Sequence, residues 1–203
     1  MKGLIIIPDI TGFTSFVKVM NNGLGMSITS DLLNEIIDNN PLNIELSEIE
    51  GDALLFYKLG QPLHITELFN GVEKMYEAFN RKFKALQTLH QLDIELSLKF
   101  IVHYGDINVY DIKGFRKLYG QTVIESHNLL KNGQQQSDYI LITEDYFAAL
   151  DQQHITEQVN SWKYNKKTAQ LLNGFRKISY HFYDYFPNWH QLSCPEMVSL
   201  KII

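Results

Sequence analysis

The chain has 203 residues, 45% hydrophobic and 20% charged, an ordinary globular composition with material for one substantial core. A formal charge of −5 leaves no basic footprint for nucleic acid. The lone cysteine, Cys194, excludes an intramolecular disulfide framework and fits a reducing cytoplasm, so a cytoplasmic location is expected. Residues 1–20 show no cleavable signal pattern, because Asp9 interrupts a short apolar run, and no apolar segment is long enough to span a bilayer. No direct membrane insertion is expected.

In chain order, Leu4 to Ile7 read as a buried strand ending on Asp9, followed by a helix from Thr11 to Met20. Asp9 there has two readings, an N-cap of the helix or a cation ligand beside a helix N-terminus. Ile28, Leu32, Leu33, Ile36 and Ile37 fall at helical spacing, and Asn39-Asn40-Pro41 stops that helix. Two strand-like runs, 44–50 and 53–57, flank Gly51-Asp52, a dipeptide suited to a tight hairpin. If that hairpin lies beside the first strand, Asp52 and Asp9 share one site. Pro62 opens a long helix to about residue 90, with a core-facing stripe from Ile65 to Leu86. Ile94 to Val102 alternates as a half-exposed strand should, and Ile107 to Ile112 is expected as its hairpin partner. A helix is predicted from Thr122 to Asn132, ended by Asn132-Gly133, with a polar loop over 133–138.

The aromatic run Tyr180, Phe182, Tyr183, Tyr185, Phe186 and Trp189 suits alternate strand faces, with a surplus for a helix or a partner. His181 and His190 lack metal-ligand spacing, His103 reads as a structural histidine inside a strand, and His127, beside Asn128, reads as a surface or packing residue with the site as its alternative. Strands and helices intermix with strand hairpins, so the class is α+β with an antiparallel or mixed central sheet. One domain over 1–186 and a C-terminal extension over 187–203 are expected.

Asp-Ile-Thr-Gly-Phe-Thr at 9–14 followed by Glu-Gly-Asp at 50–52 resembles the class III adenylyl/guanylyl cyclase domains. The order continues with Phe100 to Asp106, with Leu118-Tyr119-Gly120-Gln121-Thr122-Val123, with Tyr139 to Thr143 before Tyr146, and with Asn173-Gly174-Phe175. Each motif is short, and the specificity lies in the ordered set over roughly residues 3–185. The chain is similar to divergent small bacterial members of unknown function. The resemblance implies a ferredoxin-like fold, with a mostly antiparallel sheet and helices packed on one face.

That resemblance also implies a metal site and a purine site. Asp9, Asp52 and the Ile10 carbonyl would hold Mg²⁺ or Mn²⁺, while Thr11, Gly12, Phe13 and Thr14 would meet the phosphates of a purine nucleoside triphosphate. Glu48 and Lys117 fall at the base-reading positions. A carboxylate there suits guanine, but Glu48 is also an ordinary strand residue, and Lys117 departs from the family pattern. The transition-state asparagine and arginine positions, four residues apart on one helix face, hold Ile124 and Asn128. The closing phosphate lysine is Asn173. Loss of one preorganised electrostatic group costs on the order of a hundred- to a thousandfold in rate. The expectation is therefore a homodimeric, cyclase-like sensor or regulatory domain, possessing a metal-nucleotide site but no turnover. Two alternatives stand beside it. One is an active guanylyl cyclase using Lys117, Lys131, Arg176 or Lys177 as the missing cation; the other is an interaction module that binds no nucleotide.

Overall fold

The structure is a computed structural model that describes residues 1–131, 138–150, 158–172 and 176–185. Asn173, the helix end at Asn132-Gly133 and most of the loop over 133–138 lie outside the described residues, as do Phe186, Trp189, His190, Cys194 and the extension over 187–203.

The elements run β1 (Lys2–Thr11), α1 (Phe13–Val19), α2 (Asn22–Asp38), β2 (Glu45–Glu50), β3 (Ala53–Leu59), α3 (Ile65–His90) and β4 (Ser97–Asp106). They continue β5 (Asn108–Ile112), β6 (Phe115–Tyr119), α4 (Gln121–Leu130), β7 (Tyr139–Thr143), α5 (Glu144–Ala149), β8 (Gln158–Val159), β9 (Trp162–Leu172) and β10 (Lys177–Tyr185). Eight strands form one sheet in the order β2-β3-β1-β4-β7-β10-β9-β8. All neighbours are antiparallel except β4 and β7, whose crossover contains α4. The architecture is the expected α+β fold with a mostly antiparallel sheet.

Local sequence explains most of the helices. Asn21 caps α2 by accepting the Leu24 N–H at 2.9 Å, and His64 caps α3, two residues after Pro62. On α3 the stripe Ile65, Leu68, Phe69, Val72, Met75, Phe79, Phe83 and Leu86 is buried, as its spacing predicts. Asp9 does not cap α1. β1 runs two residues past it, and Gly12 stands at the N-cap with φ of 91°, a conformation glycine adopts without strain.

Three expectations are corrected. Helices cover both faces of the sheet. Along β1, Leu4, Ile6 and Ile10 join the core shared with α2 and α3, whereas Ile5 and Ile7 join a second core with Leu129 of α4. β4 is not half-exposed: as a central strand flanked by β1 and β7, it is buried from Phe100 to Tyr104. Its partners are β1 and β7, so the 107–112 strand pairs instead with β6, in a separate two-stranded ribbon. A strand whose both edges are already bonded cannot accept a third partner.

Candidate functional site

Antiparallel pairing of β1 between β3 and β4 builds the acid pair. Asp9 stands opposite Ala53 on one side and Lys99 on the other. Gly51 takes φ of 64° in the β2–β3 turn, and the Ile10 N–H donates to the Asp52 carbonyl at 3.3 Å. Asp52 is thereby held beside Asp9. Burial, then the negative charge of Asp9, pushes the Asp52 carboxyl up from 3.8 to about 6, with a hydrogen bond from its own backbone N–H and then Lys99 partly offsetting both. Two carboxylates and a main-chain carbonyl are hard oxygen donors, the chemistry Mg²⁺ and Mn²⁺ take. Among the described residues no group of three or more His, Cys, Asp or Glu side chains is arranged around a metal position.

Lys99 is a site residue that no motif in the sequence marks. Its Nζ lies 2.8 Å from Asp9 Oδ2, both side chains being only 17% exposed, and 3.5 Å from the Leu130 carbonyl at the end of α4. In sequence Lys99 is one polar residue in an alternating strand. Only the β1–β4 register sets it opposite Asp9.

The predicted base-reading residues also meet each other. Lys117 on β6 reaches Glu48 on β2, Nζ to Oε2 at 3.1 Å, with Glu48 19% and Lys117 39% exposed. The ribbon is tied down nearby by Arg116, which pairs with Glu45, itself an acceptor of the Tyr57 hydroxyl at 2.7 Å. That hydroxyl bond and the Arg116 charge hold Glu45 below the usual carboxylate range, against a smaller opposing effect of burial.

The remaining predicted positions are dispersed. Thr11 and Gly12 line a cleft of about 930 Å³ with Tyr76, Asn80, Arg81 and Lys84. The Thr11 hydroxyl is buried with no hydrogen-bond partner among the described residues. Phe13 instead lines an apolar groove of about 590 Å³ with Val17, Met20, Met26, Leu33 and Ile37, and Thr14 is exposed on α1. On α4, Ile124 is 48% exposed and Asn128 is half-buried.

A buried polar cluster underlies the opposite edge of α4. Glu125 is 2% exposed; its oxygens accept from Arg176 Nε at 2.9 Å, Arg176 Nη2 at 3.0 Å and Gln121 Nε2 at 2.7 Å. Glu125 also lies 2.9 Å from His103 Nε2, whose Nδ1 meets the Thr143 hydroxyl at 2.9 Å. Arg176 binds Asp145 at 2.8 and 3.0 Å as well, and these two carboxylates raise its pKa above its ordinary value. His103 is thus a satisfied core histidine, as its strand position predicts. His127 faces Glu50 at 3.6 Å, and His181 lies 3.4 Å from Glu144 with burial lowering its pKa.

Residues 29–139, more than half of the chain, match the family described as "Protein of unknown function (DUF2652)". The chain belongs to that DUF2652 family. A curated relative, the uncharacterized protein Rv2561/Rv2562 of Mycobacterium tuberculosis, is 27% identical over 130 residues. That match spans 61% of this chain and 60% of the relative. In overall fold this DUF2652 chain is similar to solved class III cyclase domains. The guanylyl cyclase Cya2 superposes with a TM-score of 0.67 at 13% identity, covering 91% of each chain. The adenylyl cyclase CyaB from P. aeruginosa gives 0.63 at 14% identity over 90% of this chain and 93% of that one. The catalytic core of a rhodopsin-guanylyl cyclase with converted specificity, solved in complex with ATPalphaS, gives 0.63 at 13% identity over 91% and 95%. At these identities the shared property is the fold.

Proposed function

We propose that this chain is a cyclase-like domain over residues 1–186 that binds a purine nucleoside triphosphate without cyclising it. It would serve in the cytoplasm as a sensor or regulatory module. The observation that carries the reading is the asymmetry of the site. Asp9 and Asp52 stand side by side near the end of β1, whereas α4 carries Ile124 and Asn128 at the positions where the cyclase resemblance expects the transition-state asparagine and arginine. Asp9, Asp52 and the Ile10 carbonyl are the residues that would hold Mg²⁺ or Mn²⁺, which when bound would neutralise phosphate charge. The main-chain N–H groups of the Thr11 to Thr14 turn would meet the phosphates, and Glu48, released from Lys117, would accept from the N–H edge of guanine.

Of the substitutes that an active guanylyl cyclase would require, Arg176 is held firmly elsewhere. Its guanidinium is spread across Glu125 and Asp145. A side chain bonded to two carboxylates gains little by turning to a phosphate. A homodimer fits the exposed apolar surface. The ribbon displays Tyr110, Ile112, Phe115 and Tyr119 at 45–71% exposure, and α1–α2 offers the apolar groove.

The test is thermal unfolding with GTP and with ATP, each with Mg²⁺ or Mn²⁺, alongside an assay for cyclic nucleotide. A rise in Tm with GTP, lost in Asp9→Ala and reduced in Glu48→Ala, with no cyclic product, is expected, since a ligand selective for the folded state stabilises it. Cyclic GMP that disappears in Asp9→Ala would establish an active cyclase instead. Unchanged Tm with every nucleotide would leave the interaction module as the reading.

A further inference from the structure

The acid pair already has a cation of its own. The Lys99 ammonium lies 2.8 Å from Asp9 Oδ2, in a part of the sheet where both side chains are largely withdrawn from solvent. A bond of this length between full charges is a charge-assisted hydrogen bond, stronger than an exposed pair because water competes less. The same ammonium lies 3.5 Å from the carbonyl of Leu130, the last residue of α4. The C-terminal carbonyls of a helix lack intrahelical partners and favour a cation. Lys99 is thus drawn to one place by two acceptors from two elements, β1 and α4. Cross-strand register gives it little choice, because Asp9 and Lys99 are paired directly across β1 and β4.

That placement limits what else can bind Asp9. With Oδ2 engaged, Asp9 offers a divalent ion one oxygen rather than two. An ammonium within hydrogen-bonding distance of the same carboxylate would also repel an ion of charge +2. We propose that Lys99 is the resident counter-ion of the Asp9–Asp52 pair, and that a divalent cation binds there only by displacing the Lys99 ammonium from Asp9. This rests on the reading of Asp9 and Asp52 as the metal acids. It adds that Lys99 sets the metal affinity of the nucleotide-free protein, and that metal entry frees the end of α4 from its tie to β4. Lys99 acts here as a specificity-determining residue.

The experiment is a titration of the full chain with Mn²⁺ alone, followed by electron paramagnetic resonance of the free ion. It compares wild type with Lys99→Met, Lys99→Gln and Lys99→Arg, and with Lys99→Met/Asp9→Asn. Methionine matches the lysine stem in bulk, glutamine provides a second neutral variant, and unfolding curves establish that each variant is folded. Lys99→Met and Lys99→Gln should bind Mn²⁺ on the order of tenfold more tightly than wild type, while Lys99→Arg stays as weak. The tighter site should vanish in Lys99→Met/Asp9→Asn. The gain should persist in about 0.3 M salt, because a contact is displaced, whereas a long-range effect of charge would be screened away. Equal Mn²⁺ affinity in wild type and Lys99→Met would overturn the counter-ion role and leave the metal acids standing. No Mn²⁺ binding by any Lys99 variant would overturn both. Nucleotide binding is read separately, by Tm.

Discussion

Replacing Asp52 by asparagine should stabilise the protein at neutral pH, and the gain should disappear in acid. Burial and the neighbouring Asp9 push the Asp52 carboxyl from 3.8 to about 6, so the fold favours its protonated form. A shift of about two units corresponds to a ceiling of roughly 3 kcal/mol. Asp52 is only partly buried, and solvent screening reduces this to about 1–1.5 kcal/mol. Asparagine keeps the size and removes the charge. The sign follows from linkage. Below about pH 4 Asp52 is protonated both folded and unfolded, so wild type and variant should match. Between about pH 4 and 6 the unfolded chain loses its proton first, and wild type loses ground as pH rises. Above about pH 6 the full difference is present. For a chain of this length that amounts to roughly 2–6 °C in Tm. The assay is thermal and urea unfolding of Asp52→Asn and wild type at several pH values between about 4 and 8, in buffer with a chelator. An Asp52→Asn protein less stable than wild type at pH 7.5, or a gain that does not change with pH, would refute the account.

Three further predictions concern the scaffold. A Cβ at Gly71 would sit 2.1 Å from Leu42 Cδ2, where α3 packs against the chain leading to β2, so Gly71→Ala should cost about 1–3 kcal/mol in urea unfolding. Gly23→Ala, with its nearest neighbouring atom at 3.8 Å, should be neutral or mildly stabilising in the same measurement. Arg176→Met leaves the buried Glu125 carboxylate without its bidentate partner and should cost roughly 3 kcal/mol at pH 7. Adding Glu125→Gln should recover part of that loss, which a double-mutant cycle by chemical denaturation would measure.

Much of this protein can be read along the chain because the signals are local. The α3 stripe, the stop after α2, the Gly51-Asp52 turn and the apolar run of β1 are each written within a few neighbouring residues, and each reappears in the fold. The ordered motifs from Asp9 to Tyr146 pointed to the cyclase-like architecture for the same reason: short-range backbone requirements leave short-range marks. The misreadings came where a partner strand decides the outcome. The 107–112 segment has the alternation of a strand, but alternation does not say which edge it joins. β4 is bonded on both sides, which left β6 as the partner.

The sequence by itself determined the chemistry available: two acids beside strand and turn, an isoleucine and an asparagine where the cyclase resemblance expects transition-state groups, and a net charge of −5. Tertiary structure decided how that chemistry is spent. Register across β1 and β4 put Lys99 on Asp9, and the β5–β6 ribbon put Lys117 on Glu48. The turn of α4 brought Glu125 inward to Arg176 and His103 while leaving Ile124 outward. Charge pairing over distances of about 3 Å depends on which elements become neighbours, and residues 22 to 90 positions apart cannot announce that in their spacing.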